Sequence, residues 1–529
     1  MALPSLHTRL PLEWSEDLPE PVPPTEKPRF GRYLEVLREH PDSRPLGPEE
    51  PDPVGLAALQ HIPGSLRLRF LDKLYAAFRP TEPARLDRFI DAYLLLARQG
   101  FSILPIRSRS RRRLAQATTH ALELMQILFR AHWHQNRIPP REWWARFLAT
   151  FRGAGAAHLF AVRGPSLVGD TATTPLRPSA RLLLQAATNP HAWESELHAH
   201  LEQFLQLLSE DVLLFPAASP SAYVESRRGR FVFDAAGDQP PVLPDGLDPR
   251  KPTAKAHAPD WWIIDASRAL SRLTELRRNL DLGAAPARLH PLLAETPEAP
   301  RRILLQRLER ILGRGNRRRR TPLPVPRPVH VAVGMEQAVR HCFAGRWSRS
   351  GDPATLKANV RLQSEVLAHP SATPEAGGWE AVEWDEAGIR LRGQGVGSGT
   401  LVGKPVLILD LEESPDTSTP RMQAGLVRWH QDLPASGGVQ AGVELLPGHL
   451  HDGWCRISWS MGNALQEQPV LLLTQSQGPT SMLMPAGLFR SGAPFNIRID
   501  NRDRLGEMIQ LAEPGVHFEH VHVRLKDTP

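Results

Sequence analysis

Apolar positions recur at helical spacing through the first three hundred residues and at strand spacing after that. Leu71, Leu74, Tyr75 and Phe78 share one helix face, and Leu86, Phe89, Ile90 and Tyr93 repeat the pattern up to a stop at Gly100. Leu114, Ala121, Leu124, Met125 and Leu128 predict a longer helix. Pro139 and Pro140 then punctuate the chain, and Trp143, Trp144, Phe147 and Phe151 mark another helix. Short links between helices favour antiparallel neighbours, so residues 31–153 read as a helical bundle. Residues 154–316 read as mixed and mainly helical. They hold a stripe from Trp193 to Leu208, leucines at 270, 273, 276 and 280, and a helix over Ile303–Leu312. Two short strands are expected there, at Val212–Phe215 and Arg230–Asp234.

Beyond Arg320 the period becomes 2. Val329, Val331 and Val333 alternate with His330 and Ala332, and Val439, Ala441, Val443 and Leu445 do the same. Cys455, Ile457 and Trp459 alternate, as do Phe495, Ile497 and Ile499. Many short strands between Gly, Pro and Asp turns predict barrels or sandwiches. Two β modules are expected, over 317–447 and 448–529, dividing near Gly448. Val516 and Phe518 differ in parity from Val521, Val523 and Leu525, which predicts a bulge or bend near Glu519. The fold class is therefore α+β, with a helical N-terminal part and antiparallel β modules after it.

Composition narrows the function classes. At 529 residues two to four domains are expected. The 52 prolines predict long irregular connections, and residues 1–30 read as a flexible proline-rich lead-in. Two cysteines, Cys342 and Cys455, argue against a disulfide framework and suit a reducing cytoplasm. The N-terminal stretch lacks the apolar core of a signal peptide, and no apolar run is long enough for a membrane span. The net charge of +7 is modest for this length, but it is clustered at Arg107–Arg113 and at Arg314–Arg327.

The second cluster carries the most specific chemistry. Arg314, Arg317, Arg318, Arg319 and Arg320 stand just ahead of the strand at Val329–Val333, and Arg314 and Arg318 are four apart. About sixty residues later comes EWDEAGIRL, with Glu383, Asp385 and Gly388, then GLVRWH and GVELL. Guanidinium groups pair with phosphates and stack on bases, and a short polar residue near a glycine lets backbone approach a ligand closely. Over residues 314–446 this arrangement resembles the PilZ family of cyclic-di-GMP receptors. In that family an Arg-x-x-x-Arg pair precedes the first strand of a barrel, and an Asp/Asn-x-Ser-x-x-Gly turn lies within it. The resemblance implies a β-barrel, bacterial cytoplasm, a signalling role and cyclic-di-GMP as ligand. Arg314, Arg317–Arg320, Asp385 and Gly388 are the implied binding residues. This chain departs from the second motif. Aligning Gly388 with the family glycine puts Glu383 at the Asp/Asn position and Asp385 at the Ser position. Putting Asp385 first instead places Arg390 where glycine belongs. The chain is thus a degenerate member by this reading: a receptor, or an adaptor that works without ligand and regulates an unidentified protein through its helices.

Other chemistry is thinner. The glycines at 393, 395, 397 and 399 open no helix, so they read as a hairpin loop and not a dinucleotide site. His132, His134, His198 and His200 lack helical metal spacing and read as surface or cap residues. His520, His522 and Arg524 share a strand face, read as a solvated edge with an anion or metal patch as the alternative. No nucleophile–base set, metal set or cofactor motif is apparent, so no enzyme activity and no cofactor are expected. Nucleic-acid binding is the alternative function, with the arginine runs for phosphates and the tryptophans at 143, 144, 261 and 262 for stacking.

Overall fold

The computed structural model describes residues 64–101, 108–169, 171–217, 228–243, 260–281, 291–314, 323–339, 378–385, 387–394, 401–410, 422–433, 438–457, 466–475, 478–499 and 502–526. The lead-in over 1–30, the arginines at 317–320 and the glycines at 395, 397 and 399 lie outside them. The chain forms two compact units, Met1–Met125 with Ala157–Thr174, and Gln126–Ala156 with Pro175–Pro529.

The first unit is built on helices α1 (Gly64–Phe78), α2 (Pro83–Phe101) and the start of α3 (Ser108–His134). Its heptad-like apolar positions are buried, among them Leu71, Leu74, Leu86, Phe89, Ile90 and Tyr93. Asp72 ties the three helices together. Its Oδ1 accepts from the Tyr93 hydroxyl at 2.9 Å and its Oδ2 from the Gln116 amide at 3.0 Å. Glu123 on α3 holds the loop after residue 164, accepting from Ser166 Oγ and from the Leu167 N–H at 2.8 Å. The arginines at 111–113 lie in the first turns of α3, so most of the RSRSRRR run belongs to a helix start.

The second unit begins with the end of α3 and α4 (Arg141–Ala156), α5 (Leu176–Ala187) and α6 (His198–Leu208). A three-stranded antiparallel sheet follows, β1 (Leu213–Pro216), β2 (Arg230–Asp234) and β3 (Trp261–Asp265), in the order β1-β3-β2. Its central strand is absent from the sequence reading. WWIID does not alternate, because Ile263 and Ile264 are both buried. Phe151 of α4 meets Phe233 and Trp262 edge-on, with centroids 5.5 and 4.8 Å apart. Helices α7 (Ser267–Asp281), α8 (Pro291–Glu295) and α9 (Glu298–Arg314) complete this part.

Among the described residues after α9, a short helical stretch at 335–339 accompanies β structure in two closed six-stranded barrels. The first contains β4 (Leu323–Val333), β5 (Trp379–Trp384), β6 (Gly388–Gln394), β7 (Pro405–Asp410), β8 (Met422–Leu433) and β9 (Gly438–Leu445). The second contains β10 (His449–Ile457), β11 (Gln466–Thr474), β12 (Ser481–Met484), β13 (Pro494–Ile499), β14 (Arg502–Pro514) and β15 (Glu519–Leu525). The strand orders are β4-β5-β6-β9-β8-β7 and β10-β11-β12-β15-β14-β13. Counted within each barrel, both read first, second, third, sixth, fifth, fourth. The last strand of the first barrel ends at Leu445 and the first strand of the second begins at His449.

Each barrel has its own core. Val329, Trp379, Ile389, Leu391, Val406, Ile408, Val427 and Val443 fill the first, and Val470, Leu472, Met482, Phe495, Ile497, Met508 and Val521 fill the second. A third apolar cluster joins the outer faces: Leu407, Ala424 and Leu426 of the first barrel meet Leu471, Leu473, Leu483 and Phe518 of the second. This explains two continuous apolar runs, PVLIL from Pro405 and PVLLL from Pro469. Strands buried on both faces have no polar side to alternate with.

The parity change near Glu519 has the same cause. Phe518 closes a turn, where the Gly515 N–H donates to its carbonyl at 2.8 Å, and its ring joins the cluster between barrels. Val521 and Val523 point into the second barrel. The irregular register lies instead in β14, between Met508 and Gln510 and between Leu511 and Glu513.

Candidate functional site

The pairing of β4 with β5 defines one end of the first barrel. Leu323 pairs with Trp384 and Pro324 with Glu383. Strand β4 therefore begins, at Leu323, beside the β5–β6 hairpin, and Arg314 is the last residue of α9. Asp385 and Gly388 form the hairpin turn. Asp385 Oδ1 accepts the backbone N–H groups of Ala387 at 2.8 Å and Gly388 at 2.7 Å, and the Asp385 N–H donates to the Gly388 carbonyl at 2.9 Å. Short Asp side chains favour such turns because they can replace a missing backbone acceptor. A Cβ on Gly388 would stand 2.9 Å from the Val443 carbonyl, so the close approach of β9 requires glycine here.

The flanking charges are already matched. Glu383 faces Arg390 directly across the hairpin and pairs with it at 2.6 Å. Arg327 lies over the Trp384 ring, 4.2 Å from its centroid, a contact missing from the sequence reading. Of the residues implied by the PilZ resemblance, Asp385 and Gly388 thus come together as a turn, Arg314 ends a helix, and Arg317, Arg318, Arg319 and Arg320 lie outside the described residues. Asp385 holds its own hairpin. Asp385→Ala is expected to lower stability by about 1 kcal/mol in urea denaturation, since an exposed and a half-buried N–H group lose their acceptor. Asp385→Asn, which keeps an acceptor oxygen, is expected to stay close to the parent.

Helix α9 leads into this end and is held firmly. Its Arg307 forms a two-pronged pair with Glu194, at 2.5 and 2.8 Å, both side chains buried. Arg310 approaches Glu513 of β14 at 3.6 Å. Arg428 of β8 bridges the barrels, pairing with Glu444 at 2.5 Å and with both oxygens of Glu513 at 2.5 and 2.7 Å. Burial by itself would raise the Glu513 carboxyl. The guanidiniums of Arg428 and Arg310 outweigh burial and hold it at about 2.

Histidines gather where the helices meet the first barrel. His198 is buried, which corrects the surface half of its reading as a surface or cap residue, and it does stand at a cap, where a short turn ends and α6 begins. Its Nε2 lies 3.1 Å from the Trp133 indole nitrogen and 3.1 Å from the Trp193 carbonyl. His430 of β8 is fully buried, and the Asp432 N–H next to it donates to the Asn136 carbonyl at 3.2 Å. Burial pushes His191 and His198 down to about 4, with neighbouring histidines adding to the effect on His191. Among the described residues no group of three or more His, Cys, Asp or Glu is placed to hold a metal ion.

The alternative of nucleobase stacking meets an obstacle. Trp143 and Trp144 are 4% and 3% exposed and pack against Phe129 and Phe147, so neither offers a free face. The patch of His520, His522 and Arg524 is likewise not an edge, because β15 is paired with both β12 and β14. Among the described residues no helix is long and apolar enough to cross a membrane. No protein-family model matches this chain, and neither a curated protein nor a solved structure shows significant similarity to it.

Proposed function

We propose that this protein is a non-enzymatic bacterial signalling protein, with cyclic-di-GMP as the ligand of its first barrel and a protein partner engaged through its helices. The observation that carries this reading is the β4–β5 register. It starts β4 at Leu323, opposite Trp384 and beside the Asp385–Gly388 turn, three positions after Arg320 in the sequence. A second observation supports it. The carboxylates of Glu383 and Asp385, which depart from the family motif, are matched by Arg390 and by backbone N–H groups.

In this reading α9, clamped by Arg307 and Arg310, is the element that feels ligand at the arginines that follow it. Arginine supplies both phosphate pairing and base stacking. Calorimetric titration of the full chain with cyclic-di-GMP is the test. Arg314→Ala and Arg318→Ala should each weaken binding by about 1.5–3 kcal/mol, roughly tenfold to a hundredfold. Tight binding by the parent with no change in either variant would remove the proposed site. Absence of binding by the parent would leave the ligand-independent adaptor, and binding to nucleic acid that falls steeply with salt would favour the alternative function.

A further inference from the structure

The common strand order gives each strand of the second barrel a counterpart in the first: β12 for β6, β14 for β8 and β15 for β9. In both barrels the turn between the second and third strands meets the end of the last strand. The Leu445 N–H donates to the Ala387 carbonyl in the first barrel, and the Val523 N–H donates to the Thr480 carbonyl in the second, both at 2.9 Å. In the second barrel this place is an open groove. Pro479 and Thr480 form one side, Ile509 the other, and His522, Arg524 and Leu525 of β15 lie along it.

Several features distinguish the groove from ordinary surface. The register of β14 against β15 steps from Met508 to Gln510, which leaves Ile509 without a cross-strand partner and 37% exposed. Leu505, on the same strand, is 54% exposed. Among the described residues, the side chains of His522 and Arg524 have no hydrogen-bond or ion-pair partner. The next imidazole along the face, His520, stands 6.1 Å from His522 and has a buried Nε2 without a partner. A guanidinium and an imidazole without partners, a hydroxyl and an apolar wall converge at one place.

We propose that this groove binds a small phosphate ester, with Arg524 and His522 donating to the phosphate, Thr480 adding a hydroxyl contact and Ile509 covering the organic body. Arginine suits phosphate because its fork matches two oxygens at once. The proposal stands apart from the ligand of the first barrel, since none of its residues belongs to that site.

Titration of the full-length protein with adenosine monophosphate, glycerol 3-phosphate and adenosine is the test. Adenosine monophosphate should bind at least tenfold more tightly than adenosine. Arg524→Gln and His522→Gln should each weaken it about tenfold, while Arg318→Ala leaves it unchanged. Equal binding of glycerol 3-phosphate would identify a lipid-headgroup type of ester, and preference for the nucleotide a nucleotide type. Both results support the groove. Failure of both esters to bind at millimolar concentration overturns the proposal, as does equal binding of adenosine. Binding that survives both groove substitutions but is lost in Arg318→Ala also overturns it, and points to the first barrel instead.

Discussion

Arg307→Ala is expected to destabilise the protein by roughly 3–5 kcal/mol, the scale for breaking a buried ion pair by removing one partner. Glu194 is completely buried, and its carboxylate takes both prongs of the Arg307 guanidinium at 2.5 and 2.8 Å. Removing the arginine leaves a charge with nowhere to turn. Gly403, held at a φ of +76°, already passes so close to Glu194 that even a Cβ there would collide. The matched replacement Arg307→Met with Glu194→Leu should recover most of the loss, because the desolvated charge disappears along with its partner. Guanidinium denaturation of the three proteins is the measurement. A loss below about 1 kcal/mol for Arg307→Ala would mean that water reaches the pair, as at a surface salt bridge.

Acid should weaken the fold well above the range where carboxylates titrate. His191 and His198 stand at about 4 in the folded protein against 6.5 for an ordinary histidine. Burial also lowers His430, although Asp432 opposes it. Because the folded values lie below the unfolded ones, the unfolded chain takes up protons first. Stability is therefore full above about pH 6.5 and falls progressively toward pH 4, by on the order of a few kcal/mol in total. Glu513, lowered from 4.5 to about 2, gives stability that is lost only as the pH drops from 4.5 toward 2, so the two windows separate. Denaturation midpoints at pH 7.5, 6.5, 5.5 and 5 should trace the first window. His191→Gln with His198→Gln should flatten that slope. An unchanged slope in the double variant would assign the acid sensitivity to other groups.

These predictions rest on residues of very different legibility. The Asp385–Gly388 turn can be read locally, since an Asp two and three residues ahead of its N–H donors is a short-range arrangement. The helical stripes are legible for the same reason: one buried face repeats every three or four residues. Glu194 and Arg307 carry no such sign. They are 113 residues apart, and nothing around either one marks it as a buried partner of the other. His198 looked like one of several surface histidines because its burial comes from Trp133, 65 residues away. The strand at Trp261–Asp265 was missed because a short strand covered on both faces loses the alternation that reveals strands.

By itself the sequence determined the change from helix to strand beyond Arg320 and the hairpin turn at Asp385. Each depends on the period of burial along a continuous stretch or on the chemistry of a few adjacent residues. Only the tertiary structure decided that both barrels close with the same strand order. It also decided that Leu407 and Leu426 meet Leu471 and Leu483 to join them, and that Arg428 crosses to Glu513. Barrel closure and docking pair residues tens to a hundred positions apart. Periodicity records that a side chain is buried, and the partner that buries it is set by how distant segments meet.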